Sequence, residues 1–213
     1  MDSARTIYIV DEDVAVRRSL GALITEAGLH SYPFSCGEDL LDDLAELPVG
    51  CIVMEVDLPG LGGLEVQRRV SALRPEMPVI LMSAEGTIRM AVAALKAGAF
   101  DFLEKPIADR LLLDVIRSGC EQLGRSLPLV ARKREAQERV GSLSVRERET
   151  VEHIAGGLSN KLVARTLGLS IRTVEMHRAS AMRKLGVRNL AELLQLAGEA
   201  DLLPDRLPSS AAA

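Results

Sequence analysis

From Arg5 to about Gly124 the chain alternates short β-branched apolar runs with segments whose apolar residues recur at helical spacing. Strands are predicted at Thr6–Val10, His30–Phe34, Gly50–Met54, Pro78–Met82 and Ala99–Leu103, and helices beginning near Val14, Gly37, Gly63, Thr87 and Ala108. The runs IYIV, CIVM and VILM are apolar throughout, which is the pattern of strands covered on both faces. Five strands separated by helices imply an α/β fold, a doubly wound five-stranded parallel sheet with right-handed crossovers. Functional groups in such a sheet gather beyond the carboxyl ends of the strands. Acids stand there: Asp11 and Glu12 after the first strand and Glu55 after the third.

After residue 123 the pattern changes. Residues 124–142 hold one proline, several charges and a central stretch able to form a short helix, and are predicted to be an interdomain connector. Residues 143–200 show helical periodicity only, which predicts a small all-α domain. Its first helix is expected over Val145–Gly156, with Ser144 and Glu147 at capping-box spacing. Gly156-Gly157 ends it, Ser159 opens a short helix, Gly168 makes a turn, and Ser170 opens a helix running to about Leu185. A last helix, Leu190–Glu199, carries Leu190, Leu193, Leu194 and Ala197 at i, i+3, i+4 and i+7. Residues 201–213 are expected to be a disordered tail.

Composition narrows the setting. The chain has 213 residues and is 47% apolar but only 2% aromatic, so each of two cores must be aliphatic. No apolar stretch approaches the roughly 18–20 residues that span a bilayer, and the start MDSARTIYIV lacks the regions of a signal peptide. A cytoplasmic protein with no membrane partner is expected. Cys36, Cys51 and Cys120 are odd in number and widely spaced, which fits reduced thiols, and no Cys/His cluster suggests zinc. The net charge of −4 conceals an asymmetry: residues 1–122 carry 11 Lys and Arg against 20 Asp and Glu, whereas residues 143–200 carry 9 against 6. A nucleic-acid partner is therefore expected for the C-terminal half alone.

The acidic pair Asp11-Glu12, Glu55 with Pro59-Gly60 and Gly63, Ser83-Ala84, and Phe102 followed by Lys105-Pro106 resemble, in order, the motifs of bacterial two-component receiver domains, over about residues 5–122. The resemblance implies that Asp11 and Glu12 are metal-side acids. It implies that Ser83 is the hydroxyl that turns toward a phosphoryl group, Lys105 the cation paired with it, and Phe102 the switch aromatic. It also implies dimer contacts at Val92, Lys96, Asp101 and Arg117. A metal in that pocket would be Mg²⁺, a hard cation taking oxygen ligands from Asp11, Glu12, Glu55 and the Asp57 backbone carbonyl. No cofactor is required, and Mg²⁺ binding is expected to be weak.

The family's phosphoacceptor aspartate stands four residues before the motif proline. Here that register falls on Glu55, whereas Asp57 is only two before Pro59. Glutamate keeps the charge but moves it one methylene outward, and a shift of about 1 Å is costly in a preorganised site. Function without aspartyl phosphorylation is the leading expectation, with Glu55 either a permanent mimic of the activated state or part of an inert scaffold. The competitors are a conventional phosphorylation-switched regulator, with Glu55 or Asp57 as acceptor, and an interaction adaptor without DNA binding.

Residues 143–187, with LSVRE, GLSNK, SIRTVEMH and KLGV in order, resemble the LuxR-type helix-turn-helix of the FixJ/NarL group of response regulators. At 100° per residue, Ile171, Val174, Ala181 and Leu185 fall on one side of their helix, and Arg172, Glu175, Met176, Ala179 and Arg183 gather opposite. The exposed stripe can enter a major groove, with Arg172, Glu175, Met176 and Ala179 reading bases. Lys161, Arg165, Thr173, His177, Arg183 and Lys184 are candidates for phosphate contacts, which position without specifying sequence. Arg178 is expected to pair with Glu147 or Glu149, and Leu193 and Leu194 of the last helix to supply dimer contacts. The resemblances together imply a transcription regulator that binds double-stranded DNA as a homodimer. A histidine kinase or another regulator is a further partner, and no enzymatic activity is expected.

Overall fold

The computed structural model describes residues 5–202. Strands β1 (Thr6–Val10), β3 (Cys51–Glu55) and β4 (Val79–Ser83) are buried at every position, as their uninterrupted apolar runs require. With β2 (His30–Phe34) and β5 (Asp101–Glu104) they form one parallel sheet in the order β2-β1-β3-β4-β5. Alternation of side chains sorts its residues onto two faces. Tyr8, Val10, Ile52, Met54 and Leu81 join Leu40 of α2 (Gly37–Asp43), Val66 and Val70 of α3 (Gly63–Leu73) and Ala94 of α4 (Ile88–Lys96) in one core layer. Ile7, Ile9, Val53, Ile80 and Met82 join Ile24 of α1 (Val14–Glu26) and Leu112 and Ile116 of α5 (Asp109–Gly141) in the other. The expected doubly wound fold is present.

Chain order reverses between β1 and β3, which lie side by side with β2 and β4 outside them. The crevice at that switch point is where this architecture gathers functional groups. Three strand ends lie one residue beyond expectation: Glu55, Ser83 and Glu104 are the last residues of β3, β4 and β5. Glu55 still pairs in register with Met82, so its backbone is held by the sheet. Gly63 opens α3 directly beneath, and a Cβ on it would come within 2.2 Å of the Glu55 carbonyl oxygen.

The chain divides into two compact units after Pro128. Residues 124–142, expected to be a connector with at most a short helix, are helical as far as Gly141 as part of α5, which contains Pro128. Leu112, Ile116 and Leu123 are buried residues of the first unit, whereas Ala136 and Val140 belong to the core of the second. That second core is completed by α6 (Val145–Ala155), α7 (Asn160–Leu167), α8 (Ile171–Leu185) and α9 (Leu190–Glu199). Ser144, Ser159 and Ser170 cap α6, α7 and α8, and the turns at Gly168 and Gly186 have φ of 67° and 69°, which glycine adopts without strain. Of the expected tail, only Asp201 and Leu202 lie within the described residues.

Gly63→Ala should destabilise the N-terminal unit by about 1–3 kcal/mol, since the atoms it would strike are backbone and cannot swing aside. The urea midpoint of that unit's unfolding transition measures it; an unchanged midpoint would show that the α3 start can move away from β3.

Candidate functional site

Three strand ends and one loop build the acidic pocket. Asp11 follows β1, Glu55 and Ser83 close β3 and β4, and Lys105 follows β5. The Lys105 ammonium pairs with Glu55 Oε2 and lies 3.2 Å from Asp11 Oδ2. Both acids are buried, at 7% and 2% exposure. The second oxygen of each carboxylate accepts from backbone. Glu55 Oε1 takes the amides of Val56 (2.9 Å) and Asp57 (3.2 Å), and Asp11 Oδ1 takes that of Asp13 (2.9 Å). Burial alone disfavours the charged ammonium more than any single partner favours it. The Glu55 hydrogen bond and the fields of Asp11 and Glu55 together outweigh it and hold Lys105 above the ordinary lysine value. Glu55 thus meets the lysine with one oxygen and two amide donors with the other.

Neighbouring groups complete the picture. Arg17 donates to the backbone carbonyls of Asp11 (2.6 Å) and Glu12 (2.8 Å), and so holds the loop that carries both acids. Sequence reasoning did not single out Arg17, because a contact to carbonyl oxygens leaves no trace in residue types. Asp57 is exposed in the loop after β3, as its register implied, and its Oδ2 approaches Ser83 Oγ to 3.5 Å. Ser83 Oγ also accepts from the Glu85 amide at 3.1 Å. Phe102 is partly buried, packs on the core, and lies against the loop glycine Gly86, where a Cβ would meet its ring at 2.9 Å.

The expected metal set is not assembled by these residues. Glu12 is exposed, and among the described residues no group of three or more His, Cys, Asp or Glu side chains converges. Lys105 stands between Asp11 and Glu55 where a cation shared by those acids would have to stand. The arrangement described here does not fit Mg²⁺. The three cysteines are free thiols, and burial pushes those of Cys51 and Cys120 up.

Val92 and Lys96, expected at a dimer contact, are exposed on α4, alongside the exposed Ile88 and Leu95. Arg117 is exposed and lies 3.7 Å from Asp114. Asp101 is half-buried, and its carboxylate accepts from the Phe102 amide at 2.8 Å, so it is partly committed within the chain.

In the C-terminal unit the expected reading stripe is exposed: Arg172, Glu175, Met176 and Ala179 all face solvent on α8, with Met176 at 63%. Val174, Ala181 and Leu185 are buried on the opposite side, but Ile171, expected there as well, is exposed at the first position of α8. Lys161, Arg165 and Arg183 are exposed and take no hydrogen-bond or ion-pair partner among the described residues. Thr173 is half-buried with its hydroxyl 2.7 Å from Ser170 Oγ, and His177 is half-buried.

Two expectations in this unit are corrected, and Lys184, which stays exposed, has a partner that was not expected. Lys184, expected at a phosphate, donates to Glu147 Oε2 at 2.6 Å. Arg178, expected to pair with Glu147 or Glu149, reaches Asn160 Oδ1 at 3.2 Å instead. Lys184 lies one turn beyond Ser180 on the flank of α8 that meets Glu147, whereas Arg178, six residues earlier, projects from a different flank. Leu193, expected at a dimer surface, is fully buried with Leu196 and Ala197 in the unit's own core, leaving Leu190 and Leu194 exposed. The apolar side of α9 is largely consumed because the end of α5 and α6 pack around the same core.

Glu147 does more than its capping-box spacing indicated. Besides accepting from the Ser144 amide at 2.8 Å, it accepts from Ser180 at 2.7 Å and from Lys184. The Lys184 and Ser180 hydrogen bonds and that amide hold its carboxyl down at about 2.

No described helix is long and apolar enough to cross a membrane. Residues 7–117 match the family described as the response regulator receiver domain, and residues 141–197 match the bacterial regulatory proteins of the luxR family. The chain is 41% identical to the transcriptional regulatory protein FixJ of Bradyrhizobium diazoefficiens over 93% of its own length and 97% of that protein's. It is 36% identical to the response regulator protein TodT of Pseudomonas putida, covering 92% and 86% respectively. Among solved structures, the response regulator StyR shares the fold with a TM-score of 0.71 at 34% identity, over 91% of this chain and 98% of that one. Full-length FixJ from B. japonicum does so with a TM-score of 0.56 at 40% identity, over 93% and 98%.

A carboxyl held at about 2 in the folded state, against an ordinary value of 4.5, contributes stability that is complete above about 4.5 and lost as pH falls toward 2. Acid unfolding of the C-terminal unit followed by helical circular dichroism should therefore steepen in that window for the wild type and flatten for Glu147→Gln. Equal slopes for the two proteins would deny Glu147 this role.

Proposed function

We propose, on the premise that this chain belongs to the response regulators that join a receiver domain to a LuxR-type DNA-binding domain, that its receiver works without aspartyl phosphorylation. The observation that carries this reading is the ion pair between Glu55 and Lys105. A phosphoacceptor must present a carboxylate oxygen for in-line attack, with its charge balanced by a divalent ion. Here both Glu55 oxygens are engaged, one by Lys105 and the other by two amides. The lysine that would stabilise an incoming phosphoryl group already holds a permanent anion.

The same pair makes Glu55 a fixed surrogate for the mark. Its single charge is smaller than the −1.5 to −2 of a phosphoryl group at neutral pH, and so is the bias it can apply to a two-state equilibrium. Ser83 is not recruited by Glu55, since its hydroxyl lies near Asp57 and the Glu85 amide. Of the two forms of this reading, a scaffold poised in one state has more support than a full mimic of the phosphorylated state.

The output is binding of double-stranded DNA by a homodimer. Arg172, Glu175, Met176 and Ala179 are proposed to read base edges, while Lys161, Arg165, Thr173, His177 and Arg183 approach phosphates. The dimer surface is proposed on α4, where Val92 and Lys96 lie with the exposed Ile88 and Leu95.

The Asp57 contact favours a second reading, in which Asp57 is the acceptor and Ser83 its partner hydroxyl. Wild type, Glu55→Asp and Asp57→Asn treated with Mg²⁺ and a small acyl phosphate separate the two. Phosphorylation independence expects acyl-phosphate incorporation in Glu55→Asp only. Labelling of wild type that disappears in Asp57→Asn would establish the second reading in its place. Glu55→Ala should change DNA affinity by less than about tenfold if the receiver is a scaffold, and by more if Glu55 holds the active state.

Replacing Arg172 with Ala should cost about 1–3 kcal/mol of binding to the preferred duplex and relax the preference at one base position. An unchanged preference, measured by selection from a random-sequence pool, would remove Arg172 from the base-reading set.

A further inference from the structure

The recognition helix α8 is tied to α6 by a directional contact as well as by apolar packing. Ser180 and Lys184, one turn apart on the same flank of α8, donate to the two oxygens of Glu147, at 2.7 Å to Oε1 and 2.6 Å to Oε2. Glu147 is 5% exposed, and its Oε2 also accepts the Ser144 amide at 2.8 Å, so the carboxylate is itself anchored to the start of α6. The apolar contacts of Val174, Ala181 and Leu185 are non-directional and tolerate small rotations of the helix. The Glu147 contact does not. Sliding α8 by one residue turns it through 100° and moves it 1.5 Å, which would withdraw both donors and leave a buried carboxylate without them.

The flank that carries Ser180 and Lys184 adjoins the stripe that carries Arg172, Glu175, Met176 and Ala179. Rotation about the α8 axis is therefore the coordinate that decides which side chains face a base edge, and this contact restrains it. We propose that Lys184, acting with Ser180 through Glu147, is a positioning residue that sets the rotation of the recognition helix for base readout and does not itself neutralise a DNA phosphate. The inference rests on the reading of α8 as the groove-binding helix. It separates Lys184 from its neighbour Arg183, whose side chain has no hydrogen-bond or ion-pair partner among the described residues.

Salt dependence distinguishes the two roles. Each phosphate contact contributes about 0.9 to the slope of log affinity against log salt concentration, whereas a positioning residue contributes nothing to the slope and acts on discrimination. Binding of full-length wild type, Arg183→Ala, Lys184→Met and Ser180→Ala is measured from 50 to 300 mM salt on two probes. One is a duplex selected by the wild type from a random-sequence pool, and the other is poly(dI-dC). Lys184→Met is expected to keep the wild-type slope while the ratio of selected to non-specific affinity falls about tenfold. Ser180→Ala, which removes one donor and keeps the ion pair, is expected to show the same signature more weakly and guards against misfolding of the lysine variant. Arg183→Ala should lower the slope by about 0.9 with the ratio little changed.

A slope lowered by about 0.9 in Lys184→Met with its ratio intact would make Lys184 a phosphate contact and overturn the proposal. An unchanged slope and ratio in both Lys184→Met and Ser180→Ala would overturn it as well. Should the wild type select no duplex and bind neither probe, the reading of α8 as a groove-binding helix fails first, and the positioning role falls with it.

Discussion

A parallel sheet covered by helices on both faces has no exposed face left for chemistry, and only its carboxyl edge remains open. Everything in the N-terminal unit follows from that constraint. The buried strands β1, β3 and β4 deliver Asp11, Glu55 and Ser83 to adjacent points on one edge, and the turn after β5 brings Lys105 to meet them. Two buried carboxylates so close together would be costly without a cation between them. Lys105 supplies it, and the pocket closes on itself.

The interaction matters because the family's chemistry needs the same lysine for a transient charge. One oxygen of Glu55 meets the ammonium while the other keeps the backbone donors at the end of β3. Both oxygens of Glu55 are thereby engaged within the chain. The loop beyond it is free to present Asp57 to Ser83, and the hydroxyl follows that acid and not Glu55.

The C-terminal unit uses a buried anion differently. Glu147 is the cap of α6 by local rules, yet its remaining capacity is taken by two donors of α8 more than thirty residues away. One residue therefore links the start of α6 to the setting of the helix that carries the exposed stripe from Arg172 to Ala179. Arg139, near the end of α5, lies 3.4 Å from the carbonyl of Leu185, the residue after Lys184, so the C-terminal turn of α8 is held from two elements.

Much of this was legible in the residues alone. Apolar runs, helical periodicity and serine or glycine punctuation are local signals, so the five strands, their helices, the capping box at Ser144 and the exposed stripe from Arg172 to Ala179 were all readable in order. The register of Glu55 against Pro59 was likewise a matter of counting. Partner choice was not. Whether Lys184 or Arg178 reaches Glu147, whether Leu193 faces a neighbour or its own core, and whether Lys105 leaves room for a metal depend on which side chains several elements bring to one point. Long polar side chains can reach many partners, and only packing in three dimensions selects among them. Sequence pattern determined which faces are apolar and which ends are polar; tertiary structure decided who meets whom, because hydrogen bonds and ion pairs are directional whereas the hydrophobic pattern is not.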